Sequence, residues 1–145
     1  MFRRRFPNLA DNVWRGYLPA DSTDLAMMLR DQPAGEIVFD ASYSESINGI
    51  PCYKVAFDAG VDGERTMWFA REYDGNLVRV DVKYAAGDVF AGELVGADDI
   101  YLRTYEVNSF FESDGQWLPK VVATKVINRR GTNLLLEDFS EIECL

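Results

Sequence analysis

The sequence predicts a mainly β protein with a short helix, its strands forming a curled antiparallel meander sheet or open half-barrel. Three observations lead there. From Glu36 to Ile142 apolar residues recur largely with period two, the repeat of a half-buried strand. Turn signals punctuate this stretch at Asn48-Gly49, Asp62-Gly63, Asp74-Gly75 and Asp114-Gly115. The last three strand segments each run to roughly ten to twelve residues, near or above the upper end of the usual range, and such strands twist and coil instead of lying flat.

The 145 residues suit a single domain, and a hydrophobic content of 48% supplies a core without a disulfide scaffold. The net charge of −9 repels phosphate backbones and anionic headgroups, so no nucleic-acid partner is expected. No apolar run approaches the length of a membrane span. Arg3 to Arg5 are not followed by an apolar stretch, so the start of the chain does not read as a signal peptide. Histidine is absent, which removes the commonest general base and metal ligand. Cys52 and Cys144 pair only if the ends of two distant strands meet. Cys52, among Ile50, Tyr53 and Val55, reads as a small buried side chain.

Residues 1–20 are expected to form an extended arm. Phe6-Pro7 and Leu18-Pro19 interrupt regular structure, while Phe2, Phe6, Trp14 and Tyr17 carry too much aromatic surface to stay in water. The arm is expected to pack on the sheet or on a neighbour, so a homodimer through a sheet edge or through the arm is a candidate assembly. Residues 21–33 are expected to form the short helix. Asp21 to Asp24 provide its cap and first-turn carboxylates, Leu25, Met28 and Leu29 its apolar face, and Pro33 and Gly35 its end.

The antiparallel sheet occupies 36–143. Ile37, Phe39, Ala41 and Tyr43 alternate with Val38, Asp40, Ser42 and Ser44, and Asn48-Gly49 turns the chain back. The return strand sets Tyr53, Val55 and Phe57 against Lys54, Ala56 and Asp58. Thr66 to Arg71 is a short strand, and Val78, Val80, Val82 and Tyr84 then oppose Arg79, Asp81 and Lys83. Ala85 to Asp99 reads as a loop with at most a short strand. Ile100 to Phe111, Trp117 to Asn128 and Thr132 to Glu143 complete the meander.

Asp58, Asp62 and Glu64 lack the alternating ligand spacing of a calcium loop, so no metal is expected there. Asp81, Glu106 and Glu112 are carboxylates of the kind that serve glycoside hydrolysis, but their spacing is that of a polar outer sheet face. No catalytic constellation emerges, and neither an enzyme nor a cofactor is expected. The aromatic residues carry the functional reading. Tyr53, Phe57, Trp68, Tyr84, Tyr105 and Trp117 are candidate lining for an apolar ligand site. Several strands are apolar on both sides, as with Met67 and Phe69 against Trp68, and Leu134 and Leu136 against Leu135. This exceeds what a single-layer sheet with one wet face needs.

The order Ile47-Asn48-Gly49-Ile50-Pro51-Cys52-Tyr53-Lys54-Val55, then Met67-Trp68-Phe69-Ala70, Leu77-Val78-Arg79-Val80 and Asp114-Gly115-Gln116-Trp117-Leu118-Pro119 resembles the periplasmic lipoprotein-carrier superfamily (LolA/LolB-like), in particular its uncharacterised exported members. The resemblance covers roughly Asp21 to Glu143. It implies an unclosed antiparallel barrel that accepts acyl chains, and a periplasmic or secreted location. The family's long N-terminal helix and first strands are missing or replaced by residues 1–19, so a half-barrel with open edges is expected. The family's lid-locking arginine is not placed on any residue of this sequence, so no functional residue is carried over from the resemblance. The expected function is non-enzymatic binding of an acyl chain, lipoprotein lipid or other apolar ligand in the concave face. The alternative is a structural or protein-interaction domain whose aromatic surface a second subunit, or the rest of a longer protein, covers.

Overall fold

The computed structural model describes residues 17–18, 23–24 and 38–143. The strands in chain order are β1 (Tyr17–Leu18), β2 (Thr23–Asp24), β3 (Val38–Ile47), β4 (Ile50–Asp58), β5 (Glu64–Ala70), β6 (Asn76–Tyr84), β7 (Val89–Phe90), β8 (Glu93–Leu94), β9 (Asp99–Ser113), β10 (Gln116–Arg130) and β11 (Asn133–Glu143). Short 3-10 turns at Gly60–Asp62 and Arg71–Tyr73 flank β5. Seven of the strands form one sheet in the order β11-β10-β9-β6-β5-β4-β3, with every neighbouring pair antiparallel. The sheet curls into an open half-barrel, as the sequence predicts.

The meander follows from local chemistry. At the β3–β4 turn Asn48 and Gly49 both have positive φ, 51° and 80°, and at the β9–β10 turn Asp114 and Gly115 have 53° and 75°. These are the dihedrals that let a two-residue turn match the twist of its flanking strands. β9 and β10 reach fifteen residues each, longer than their hydrophobic pattern implies. The extension runs through polar residues at both ends, Asp99 paired with Arg130 and Ser113 with Gln116, where backbone ladder bonds need no apolar side chain. Bulges accommodate the coil. Register shifts fall between Trp68 and Phe69, around Pro119 to Val122, and between Asn128 and Arg129.

The segment Ala85 to Asp99, expected as a loop, contains the β7–β8 hairpin, turned at Ala91 and Gly92. Thr23–Asp24, placed by the sequence in the first turn of the helix, is instead extended and pairs with Tyr17–Leu18. The rest of the expected helix, most of the arm and Cys144 lie outside the described residues.

The register assigns every sheet residue to one of two faces. One row across the first face is Val55, Met67, Val80, Tyr105 and Thr124, and the next is Phe57, Arg65, Val82, Arg103 and Val126. The matching rows of the second face are Lys54, Trp68, Arg79, Glu106 and Ala123, then Ala56, Thr66, Asp81, Thr104 and Lys125. The first face carries a core of Phe57, Met67, Val80, Val82, Tyr84 and Tyr105, joined by Val95 from the segment after β8. The second has its own smaller core, Cys52, Trp68, Ala70 and Val78. Val78 sits at the β5–β6 bulge, which turns it away from the side of Val80. The fold is thus apolar on both faces of one sheet, as the pattern around Trp68 predicts.

Candidate functional site

The six aromatic candidates divide between places. Tyr53, Phe57, Tyr84 and Tyr105 are on the first face, and Trp68 is on the second. Trp117 lies near the β9–β10 turn, where Tyr73 meets it edge-on at 5.0 Å and stacks on Phe110 at 4.5 Å. The side-chain amide of Asn76 donates to the Trp117 carbonyl at 2.8 Å and ties that corner to β6. Phe57, Tyr84 and Tyr105 are only 4%, 5% and 7% exposed, so they are packed against neighbours instead of facing open space. Tyr53 and Trp117 are half-buried.

The β7–β8 hairpin completes the first face. Phe90 stacks on Tyr101 at 4.3 Å and meets Tyr84 edge-on at 5.2 Å, and the Arg103 guanidinium lies 5.0 Å from its ring centre. Periodicity did not find this contribution, because two-residue strands carry no period. The signal available was Val89-Phe90 and Glu93-Leu94 flanking Ala91-Gly92. Arg65, on the same face between Phe57 and Val82, is 2% exposed. Asn128 shares the face with its register partner Tyr101, and among the described residues its buried Oδ1 has no hydrogen-bond partner. A buried polar atom of this kind is an unfilled acceptor position.

On the second face Trp68 belongs to the apolar cluster and also meets polar side chains. Glu45 accepts from Trp68 Nε1 at 2.8 Å and from Lys54 Nζ at 2.6 Å. Arg79 donates to both oxygens of Asp81, at 2.9 and 2.8 Å, and contacts Glu106 at 3.4 Å. Its guanidinium lies 5.3 Å from the Trp68 ring centre, with Lys54 Nζ at 5.9 Å. The bond to Asp81 is the main reason the Arg79 pKa is raised, so the cation is held charged. Beside this network runs a groove of about 330 Å³, lined by Arg79, Leu102, Glu106, Lys125, Ile127 and Phe139 among others. Its cations are already matched, since Lys125 reaches Glu137 at 2.6 Å.

Asp81 and Glu106 therefore converge on one arginine, while Glu112 is exposed near the distal turn, opposite Trp117 in the ladder. Among the described residues no group of three or more His, Cys, Asp or Glu is placed to hold a metal ion, and no helix is long and apolar enough to cross a membrane. Cys52 is buried and free, its Sγ 3.1 Å from the Ile50 carbonyl, and burial pushes its thiol pKa up.

Large apolar residues are exposed along β11. Leu134, Leu135, Leu136 and Phe139 are 53%, 51%, 48% and 60% exposed. No protein-family model, curated protein or solved structure matches the chain.

Proposed function

We propose that the chain is a non-enzymatic binding module that takes an acyl chain, a lipoprotein lipid or another apolar ligand against the first face of its half-barrel. The observation that carries this reading is an open half-barrel whose first face carries an apolar core contributed by β4, β5, β6 and β9. Half-buried Val55, Phe69, Leu77, Phe90 and Tyr101 surround the packed centre and offer a ligand apolar contact. A ligand tail enters by displacing the β7–β8 hairpin, which is held by the ring contacts of Phe90 and by Val95, buried in the first-face core. The unfilled Asn128 Oδ1 suits a hydroxyl or amide near a ligand's head. Catalysis has no support in the carboxylates, because Asp81 and Glu106 are both engaged by Arg79. The resemblance to periplasmic carriers favours a periplasmic or secreted setting.

The β11 surface favours a second reading, an interaction domain covered by another subunit, since exposed apolar patches mark contact surfaces. Native mass spectrometry of the purified protein separates the two. Ligand binding is expected to show a monomer carrying co-purified lipid mass, and titration with a fluorescent fatty-acid analogue to change tryptophan emission saturably. An oligomer without added mass, and no saturable change, would sink the first reading and support the second.

A further inference from the structure

The β3–β4 turn reaches across the second face. Asn48 Nδ2 donates to Glu106 Oε1 at 2.9 Å. Strands β4 and β9 are separated by β6 and β5, which puts them about 14 Å apart in a flat sheet at the usual strand spacing. The hairpin end therefore folds over this face, where Ile47 and Ile50 join the Trp68 cluster. It stands at one end of the groove of about 330 Å³ that runs over β9 and β10. The ladder sets out three successive rows of this face. Glu106, Ala123 and Glu141 form the row nearest the turn, followed by Thr104, Lys125 and Phe139, then Leu102, Ile127 and Glu137.

Shape and charge together decide what fits. In the first row the small Ala123 lies between two carboxylates carried two strand spacings apart, about 10 Å, with room between them. Two rows on, about 13 Å along β10, Leu102 and Ile127 give an apolar floor, and the exposed ring of Phe139 stands beside the path. Lys125, in the middle row, is neutralised by Glu137 at 2.6 Å. Arg79 gives both short bonds to Asp81 and only a 3.4 Å contact to Glu106. One cation thus serves two carboxylates, and the Asn48 amide that also binds Glu106 is neutral. The Glu106 side chain is only 22% exposed, so water screens its charge incompletely. The half-buried Glu141 likewise accepts from a neutral amide, Asn108, at 3.1 Å. The turn end of the groove therefore carries negative charge in excess, which repels an anion and attracts a cation.

We propose that this groove is a binding site for an amphiphilic organic cation, an ammonium head on an unbranched apolar tail. The head lies over Ala123 and donates charge-assisted hydrogen bonds to Glu106 and Glu141. The tail runs over Ile127 and Leu102 beside Phe139 and removes their apolar surface from water. A fatty acid is disfavoured here, because its carboxylate would meet Glu106 and Glu141. An alcohol of the same length gains the apolar contact without the charge pairing. The site is on the opposite side of the sheet from the first-face core and does not depend on a ligand binding there.

Methyl NMR on the full chain tests this, with decylammonium, decanol and decanoate each titrated below the concentration at which it aggregates. Decylammonium is expected to shift the methyls of Leu102, Ala123 and Ile127 saturably, with decanol weaker there and decanoate without effect. Glu106→Gln and Glu141→Gln are each expected to weaken decylammonium about tenfold or more, the effect of losing a hydrogen bond to a charged group. Glu112→Gln, at the distal turn, is expected to leave the affinity unchanged, which separates this site from general attraction to an acidic protein. Unshifted Val80 and Val82 methyls in the ligand-free variants report intact folding. Equal binding of decylammonium and decanol at the groove methyls, shifts confined to Val80 and Val82 on the first face, or an equal loss in Glu112→Gln would overturn the proposal. Decanol shifts at Val80 and Val82 bear on the first-face site alone, so the two readings fail separately.

Discussion

At the scale of single residues, Gly63 holds a position that other residues cannot take. Its φ is 83° and its ψ is 173°, and a Cβ there would lie 2.5 Å from the Lys83 carbonyl oxygen. Gly63→Ala is expected to cost at least about 1–3 kcal/mol from backbone strain, with the clash added. Gly115→Ala, also at positive φ but with nothing within 4 Å, is expected to cost less. Urea unfolding of both variants checks the ordering. Asp99 supplies a pH dependence. Arg130 donates to both its oxygens, at 2.8 and 3.1 Å, and holds its carboxyl below the usual carboxylate range. A lowered acid pKa stabilises the fold above the ordinary carboxylate value, and that contribution is lost as pH falls through the folded value. Wild type and Arg130→Gln are therefore expected to differ in stability at neutral pH and to converge at the acid end of a pH series of melts. The Asp99 contact was not legible in the sequence, because it depends on the register of β9 against β10.

At the scale of elements, the β7–β8 hairpin is held by Phe90. Phe90→Ala removes a stack on Tyr101, an edge contact with Tyr84 and a cation–ring contact with Arg103. The expected loss is about 2 kcal/mol, below a full-core Phe truncation because the ring is half-buried. Hairpin amides should exchange faster in this variant. The polar network of the second face behaves differently. Its Arg79 ion pairs are partly solvated, so Asp81→Asn and Glu106→Gln are each expected to cost less than about 1 kcal/mol. On the non-enzymatic reading neither variant, nor Glu112→Gln, abolishes any turnover. A hydrolytic or transferase activity lost in one of them would overturn that reading. The strands of this sheet were legible as elements because period two and the Asn-Gly and Asp-Gly turns are local signals. The hairpin was not, because its strands are shorter than one period of evidence.

At the scale of the whole molecule, the sheet is a meander with two edges, so anything that covers an edge or the first face stabilises the fold. Deleting Met1 to Pro19 removes Phe2, Phe6, Trp14 and Tyr17, each worth roughly 1.5–3 kcal/mol if fully buried. The truncated chain is expected to melt at a lower temperature or to change its oligomeric state, read by calorimetry and light scattering. Unchanged stability, size and solubility would show the arm to be an appendage.

The sequence by itself determined the class of fold, the two-faced apolar character of the sheet and the turns at Asn48-Gly49 and Asp114-Gly115. Each of these depends on residues close together along the chain, whose spacing sets which side chains share a face. Tertiary structure alone decided which aromatic residues come together. Phe57, Tyr84 and Tyr105 joined one core and Trp68 the other, although all four were candidates for one site. That sorting depends on the register of strands far apart in the chain, where a slip of one residue exchanges the faces. The same register gathered Arg79, Asp81, Glu106 and Trp68 into one network and set acidic β11 at the end of the described sheet.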